Sequence, residues 1–385
     1  MKRVLIIEAQ IKQYRLPFYE QLFSILKADD IELRVGYCDP PPSEAGKNDT
    51  CNLPLDYGMK VEGYWLLQEK LLLQPLFRAA MTADLVVIDQ GNKFLLNHLL
   101  LPLSRMGLRR VAFWGLGENR QDGQRLLSEW YRRKTLHWVS WWFAYTKGTS
   151  RYLVANGVPG WKITAVDNAV DTSKIREHVR GFSLADRVSK RESIGIPSSA
   201  PVGIFCGMLD KVKSIPFLIE TAKMIRARIP DFHLILVGGG PEQSSVKAVA
   251  RGLPWIHITG PRFAKEKSEL MAISDALLMP GRVGLVILDA FAGGLPLLST
   301  RLDIHGPEME YLEEGINGLI SEPTIPAFSD MVTLLFSNRD ALGRLQAGAR
   351  KSGTKYTIEN MVANFSTGIQ NCLDASAPSL SSCRV

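Results

Sequence analysis

Short apolar runs alternate with amphipathic stretches along most of the chain. Val4–Ile7, Leu33–Gly36, Leu85–Ile88, Arg110–Trp114, Trp142–Tyr145 and Ile163–Val166 each read as a buried β-strand. Helix-length segments fall between them, among them Leu16–Leu26, Phe94–Met106 and Arg125–Trp138, and Leu66–Phe77 reads as a further leucine-rich helix. Apolar runs without clean alternation, spaced by helices, predict parallel sheets covered on both faces. The rhythm restarts at Val202–Phe205 and continues through Leu234–Val237, Trp255–Ile258, Ala276–Met279 and Pro296–Ser299. The pattern predicts two α/β, doubly wound, Rossmann-like domains in series, residues 1–172 and 201–355. Residues 173–200 are polar, end in the loop signal IPSSAP and read as a linker. A helix is expected over 356–373 and a disordered, Ser-rich tail over 374–385. Doubly wound sheets bind ligands beyond the carboxyl ends of their strands. Two such sheets predict an interdomain cleft rimmed by strand-to-helix loops.

Composition narrows this picture. The chain has 385 residues, 46% hydrophobic and 22% charged, which excludes disorder throughout and supplies a sizeable core. A formal charge of +7 suits anionic small substrates or an anionic membrane face. Cys38, Cys51, Cys206, Cys372 and Cys383 are scattered, odd in number and contain no C-x-x-C, so neither a disulfide framework nor a zinc site is expected. No apolar run reaches the roughly 18–20 residues of a membrane span. The opening MKRVLIIEAQ reads as a first strand rather than a signal peptide. A cytoplasmic location is expected, with peripheral contact at the inner face of the plasma membrane.

Three loops could carry chemistry. In MPGRVGLVILDAFAGGLP, from Met279 to Pro296, Gly281 and Gly284 permit a tight turn after a strand, and a helix is predicted from Gly284 to Ala292. Its free N–H groups suit a phosphate, and Asp289 could accept hydrogen bonds from sugar hydroxyls; an ordinary packing turn reads the same stretch equally well. Val237-Gly-Gly-Gly-Pro241 lacks the order of a phosphate-binding glycine fingerprint and reads first as a tight turn. Lys211 and Lys213 enter a helix after Phe205–Leu209, where their ammonium groups could neutralise a diphosphate or simply be solvated.

Taken in order, Gly207 to Lys213, the triple glycine, Ile258-Thr-Gly260, the Met279–Pro296 stretch, His305-Gly-Pro-Glu308 and Glu314-Gly-Ile-Asn-Gly318 resemble the family 4 glycosyltransferases. The first half agrees through Gln13–Tyr19, Asp84–Gln90, Trp114–Asn119 and Val166–Asp171. The resemblance implies the GT-B fold, a retaining, nucleotide-sugar-dependent reaction, and a carboxyl-terminal helix packing back on the first domain. It places Lys213 and Asp289 as catalytic residues, Lys213 on the donor diphosphate and Asp289 on the ribose. Gly207, Lys211, Gly281, Arg282, Val283, Gly284 and Leu285 join them on the donor, with the backbone of Val283–Leu285 capping the diphosphate. Gly260, Pro261 and Arg262 line the base pocket. Tyr14 and Arg15, with Trp114, Glu118 and Asn119, border the acceptor. Three positions depart from the family: Gly281 replaces the first glutamate of its E-x7-E motif, Met208 an arginine, and Leu116 a histidine.

The function expected is transfer of a sugar from a UDP- or GDP-sugar to a glycan or lipid-linked acceptor in surface-polysaccharide synthesis, with no cofactor. No D-x-D metal motif is evident, so metal independence is expected. The three departures keep open a catalytically weak or inactive nucleotide-sugar binder or scaffold, and a nucleotide-sugar epimerase is a third reading. His98, His137, His178, His233 and His257 read as structural or surface; His305 and Glu308 are candidates for the donor pocket, and Asp210 and Asp303 for loop caps. The basic and aromatic run Trp130–Phe143, with the leucine-rich segments, fits either an interfacial face on anionic lipid or a core face. Nucleic-acid binding is not expected, because the basic residues are not gathered with its motifs.

Overall fold

The computed structural model describes residues 1–47, 49–118 and 126–375. Asn119 and the tail beyond 375 lie outside the described residues. The chain divides into two units, one formed by residues 1–170 and 358–385, the other by 171–357.

The first unit holds strands β1 (Lys2–Ile7), β2 (Ile31–Tyr37), β3 (Gly58–Lys60), β4 (Tyr64–Leu66), β5 (Leu71–Leu73), β6 (Leu85–Asp89), β7 (Val111–Gly115), β8 (Trp141–Ala144) and β9 (Ile163–Ala165). Its helices are α1 (Leu16–Ala28), α2 (Phe77–Thr82), α3 (Leu95–Arg105), α4 (Leu126–Thr135) and α5 (Lys147–Ala155). Among the described residues seven strands form one parallel sheet in the order β3-β2-β1-β6-β7-β8-β9. The central runs VLII, LVVI and VAFW are buried, as strands covered on both faces must be.

The helix expected over Leu66–Phe77 is not formed. Leu67, Gln68 and Glu69 all take positive φ, near 50°, 55° and 65°, and turn the chain between β4 and β5, which pair antiparallel with Tyr64 opposite Leu73. Leucine content suggested a helix, but three successive left-handed residues cannot lie inside one.

The second unit opens with α6 (Ser173–Gly181) and α7 (Leu184–Ser193), where a linker was expected. A capping box, Ser183 with Asp186, starts α7. Arg191, 3% exposed, donates to the carbonyls of Ile273, Ser198 and Ala200 and pairs with Asp275, which also accepts the Val202 N–H. A polar segment is therefore ordered through a buried arginine whose donors are met. Strands β10 (Val202–Cys206), β11 (His233–Val237), β12 (Ile256–Gly260), β13 (Ala276–Met279), β14 (Leu297–Thr300) and β15 (Gly318–Ser321) follow. Helices α8 (Ile215–Arg228), α9 (Gln243–Val249), α10 (Ala264–Ala272), α11 (Val286–Ala292), α12 (Ile325–Phe336) and α13 (Arg339–Lys355) alternate with and then follow them. The sheet is parallel, in the order β12-β11-β10-β13-β14-β15.

The last helix, α14 (Ile358–Asp374), belongs to the first unit. Its Phe365 stacks on Phe143 at 4.1 Å and meets Phe18 and Trp114 edge-on at 5.3 and 5.0 Å. Arg110 holds its end through the carbonyls of Leu373 and Ala375.

Both sheets reverse strand order beside their first strand, between β1 and β6 and between β10 and β13. Those are the positions where open α/β sheets bind ligands.

Candidate functional site

In the second unit the chain leaves β10 through Gly207 into a short turn, Lys211–Lys213, capped by the Asp210 side chain on the Lys213 N–H. Ser214 takes a left-handed φ of 55° and hands the chain to α8, where Pro216 occupies the first turn. The chain leaves β13 through Pro280–Leu285. These two loops touch backbone to backbone. The Arg282 N–H donates to the Val212 carbonyl at 2.8 Å, and the Lys213 ammonium donates to the Arg282 carbonyl at 2.5 Å. A Cβ on Gly281 would stand 2.4 Å from the Lys213 carbonyl carbon. Glycine is thus required where the family places a glutamate, because backbone fills the space a side chain would use.

The far side of the same loop is fixed by polar side chains. Thr300 and Ser299 donate to the carbonyls of Pro280 and Met279. His305, 6% exposed, accepts the Val283 N–H at Nδ1 and lies 2.7 Å from the Thr300 carbonyl at Nε2. One nitrogen accepts and the other must donate, which is neutral imidazole, and burial indeed lowers its pKa. His305 is a strut rather than a donor-pocket residue. The Val283 N–H is therefore engaged and does not cap a diphosphate. Gly284 and Leu285 remain, at the start of α11, which no side chain caps. That helix begins two residues later than expected and is only seven residues long.

Burial lowers the pKa of the half-buried Lys213; Asp210 opposes the shift and Arg282 adds to it. The stem of Lys213 passes Gly207, whose Cβ would lie 3.9 Å from its Cε. Lys213, Gly207, Gly281 and Arg282 are thus brought together at the switch point. Lys211 is exposed on the outer side of the turn. Asp289, one helical turn into α11, pairs with Lys267 of α10 at 3.0 Å, a partner sequence reading missed. The pair is half-buried, and its charges act on the Cys206 thiol, which places it by the end of β10. Gly260 ends β12, two strands from β10, with φ 72°, and Pro261 and Arg262 follow it, Arg262 pairing with Glu266. The triple glycine serves packing: Cβ atoms on Gly238 and Gly240 would meet the carbonyl oxygens of Gly207 and Leu209 at 1.8 and 2.6 Å.

In the first unit, Arg15 is 9% exposed, and its guanidinium lies 4.9 Å over the Trp114 ring and 5.3 Å from Tyr14, which is 47% exposed. Glu118 is half-buried in the loop after β7. Sequence reading missed two carboxylates here. Glu8 follows β1, half-buried, and Asp89 ends β6, in contact with solvent. Burial and the Asp89 charge push the Glu8 carboxyl up to about 7, against the Tyr19 hydroxyl at 2.8 Å, Arg15 and Lys93. Burial also raises Asp89, while Lys93 and Arg132 lower it. The signal available in the sequence was an acidic residue ending each of the two central strands, IIE and VID.

Residues 200–338 match the family described as glycosyl transferases group 1. The second unit is therefore a group 1 glycosyltransferase domain, and the two-unit architecture is the GT-B fold. D-inositol 3-phosphate glycosyltransferase of Corynebacterium urealyticum is 28% identical over 187 residues, 44% of this chain and 43% of that protein. The chain thus spans less than half the length of that relative. The GDP-mannose-dependent alpha-(1-6)-phosphatidylinositol monomannoside mannosyltransferase of Mycolicibacterium smegmatis is 26% identical over 302 residues, 75% of this chain and 69% of that protein. The solved structure of Anabaena Alr3699/HepE in complex with UDP is similar with a TM-score of 0.68 and 16% identity, covering 96% of this chain and 100% of that one.

Two outcomes follow from this geometry. Gly281→Ala forces a methyl group against backbone and should cost about 1–3 kcal/mol, with Gly281→Glu costing more; thermal unfolding reads it, and an alanine variant melting with the parent shows the loops are not in contact. Glu8 binds its proton more tightly folded than unfolded, so its contribution lowers stability as pH rises from its ordinary value of 4.5 through about 7. Glu8→Gln removes that loss. Relative to the parent, the variant should gain up to ~3 kcal/mol at about pH 8 compared with about pH 4, measured by denaturant unfolding at both; an unchanged difference contradicts the shift.

Proposed function

We propose that this protein is a retaining glycosyltransferase that moves a sugar from a UDP- or GDP-sugar to a glycan or lipid-linked acceptor, in cell-surface polysaccharide synthesis. The observation that carries this reading is the Lys213 ammonium, held between the loops that follow β10 and β13 beside an uncapped helix start. A positive group beside N–H donors that no side chain caps fits a diphosphate. The printed names of the relatives support the donor class, since one is GDP-mannose-dependent and the similar structure holds UDP. Lys213 and the loop N–H groups of Gly284 and Leu285 stabilise the negative charge that grows on the leaving diphosphate. Asp289, steadied by Lys267, holds the donor's ribose, and Arg282 and Lys211 add positive charge. In front-face attack the leaving diphosphate accepts the acceptor's proton, so the donor site needs no carboxylate at position 281 and no metal. Tyr14, Arg15, Trp114 and Glu118 serve the acceptor.

The backbone contact at Gly281 also favours a second reading, a nucleotide-sugar binder or scaffold without turnover, because the donor loop carries no carboxylate beside the transferred sugar.

A membrane-facing role belongs to the first unit. Leu99, Met106, Leu108 and Trp130 are exposed, and Arg105, Arg133 and Lys134 are exposed among them. Helices α3 and α4 meet through His98 and Tyr131 at 2.9 Å, so these residues lie on neighbouring helices. Trp141, Trp142 and Phe143 do not contribute, because they are buried in β8. Among the described residues no helix is long and apolar enough to cross a membrane.

UDP or GDP should raise the melting temperature through preferential binding to the folded chain, and Lys213→Ala and Asp289→Ala should abolish the rise. If neither nucleotide stabilises the protein, the donor reading fails; stabilisation with no hydrolysis or transfer for any donor selects the non-catalytic reading. Transfer should survive excess chelator, and a loss restored by added metal contradicts metal independence. Anionic vesicles should sediment the protein at low salt and release it at high salt, while absence of binding at low salt removes the membrane from the proposal.

A further inference from the structure

A parallel sheet needs cover on both faces, and one corner of the first sheet has little. Arg3 of β1 stands opposite Glu32 of β2, and Leu5 opposite Arg34, so these four side chains share a face. Met59 of β3 joins them, opposite Gly36. Helix α2, which lies over this face, is six residues long and lines the corner only with Ala79, Thr82 and, at its end, Ala83. Short side chains on a short helix leave a cavity of about 320 Å³. That volume falls in the range of small-molecule sites. The cavity lies toward the amino ends of β1 and β2, at the other end of the sheet from Glu8 and Asp89.

Its floor is apolar and its mouth is charged. Leu5 and Ala83 are buried and Met59 and Ala79 half-buried, whereas the side chains of Arg3 and Arg34 are 58% and 46% exposed. Glu32 lies between the two guanidinium groups, 3.3 Å from Arg3 Nε through Oε2 and 3.1 Å from Arg34 Nε through Oε1. One carboxylate thus orients two arginines and neutralises one of them. Arg34 Nη1 donates to the Leu55 carbonyl at 3.4 Å. Among the described residues nothing accepts from either terminal nitrogen of Arg3 or from Arg34 Nη2. Asp84 accepts the Arg3 N–H at 2.8 Å and does not line the cavity. Guanidinium groups only donate, and they suit an oxyanion. A cation meets a net positive mouth. An inorganic anion leaves the apolar floor bare, and a hydrocarbon leaves the donors unmet. An organic anion with an apolar body answers both.

We propose that this cavity binds a small organic monoanion with an apolar body, of the class of a medium-chain carboxylate. Its head sits on the free N–H groups of Arg3 and Arg34, and its body covers Leu5, Met59 and Ala79. The site is separate from the strand ends at which the transfer reaction was placed, and it stands whether or not the protein transfers a sugar.

The Met59 methyl resonance gives a local readout. In the full chain labelled with ¹³C at the methionine methyl groups it is assigned by its loss in Met59→Leu. Octanoate is titrated in below its micelle range, with octylammonium, octanol and inorganic phosphate as controls. Octanoate should move this resonance saturably, and the three controls should not. Arg3→Gln and Arg34→Gln should each weaken octanoate about tenfold, the worth of one hydrogen bond to a charged group. Ala79→Leu should fill the cavity and abolish the response. Arg3 and Arg34 reach solvent, so their variants keep the test open if Ala79→Leu does not fold. No saturable response to octanoate overturns the inference. An equal response to octanol or octylammonium overturns the anion clamp, and an equal response to phosphate overturns the apolar half of the site. Octanoate binding that both arginine variants leave unchanged places the ligand elsewhere and overturns the assignment.

Discussion

The second unit depends on one close approach, the backbone of Val212–Lys213 against the backbone of Gly281–Arg282. A parallel sheet that reverses strand order leaves the loops after its two central strands next to each other, and something must decide their spacing. Here no side chain intervenes: a hydrogen bond from Arg282 N–H to the Val212 carbonyl closes the gap, and the Lys213 ammonium ties off the Arg282 carbonyl. The loop cannot swing outward either, because His305, Thr300 and Ser299 hold Val283, Pro280 and Met279 from behind. An ammonium on a flexible stem would normally be a mobile surface charge. Caught between two fixed loops it becomes a preorganised one.

The first unit solves the same topological problem with the opposite chemistry. Glu8 follows one central strand and Asp89 ends the other, and the neighbouring strand carries a buried tryptophan, Trp114, packed by Phe18, Arg15, Phe365 and Tyr145. Two carboxylates near each other do not both ionise easily when one is buried. Asp89 keeps its solvent and its cations, Lys93 and Arg132, so Glu8 carries most of the penalty. Equivalent positions in two similar sheets therefore hold a cation-bearing loop pair in one unit and a pair of neighbouring acids in the other. The shared topology sets which strand ends lie side by side, while the residues there set their charge.

Much of this was legible along the chain, for reasons that can be named. The buried strands announced themselves as apolar runs, and VGIFC and LVVI fall where periodicity put them. Lys213 and the Pro280–Leu285 turn were visible because glycines and lysines after a strand are local signals. What stayed hidden was long-range. The Lys267–Asp289 pair joins different helices, and the Arg191 network joins α7 to residues some eighty positions later. The order of residues 173–200 hung on that network, and polarity alone concealed it. His305 looked like a ligand because it sits on a loop, and only its two hydrogen bonds reveal a neutral strut. The error at Leu66–Phe77 was one of turn chemistry, since composition does not register three consecutive left-handed residues.

Gly281 bears on whether a missing carboxylate signals lost function. A residue lost by drift leaves an unfilled space, and the neighbours of such a space relax only in part. Around Gly281 nothing is unfilled: the carbonyl oxygens of Val212 and Lys213 both lie 2.5 Å from where a Cβ would be. The turn is built for glycine, with a hydrogen bond that a bulkier residue would break. A loop drawn this tightly brings Lys213 onto the carbonyl that precedes Val283, so the geometry that excludes a glutamate is also the geometry that fixes the ammonium. Substitution at one position and compaction of the pair of loops are a single structural change. Its consequence is a pair of loops held by a fixed cation and backbone contacts, with no side chain at position 281.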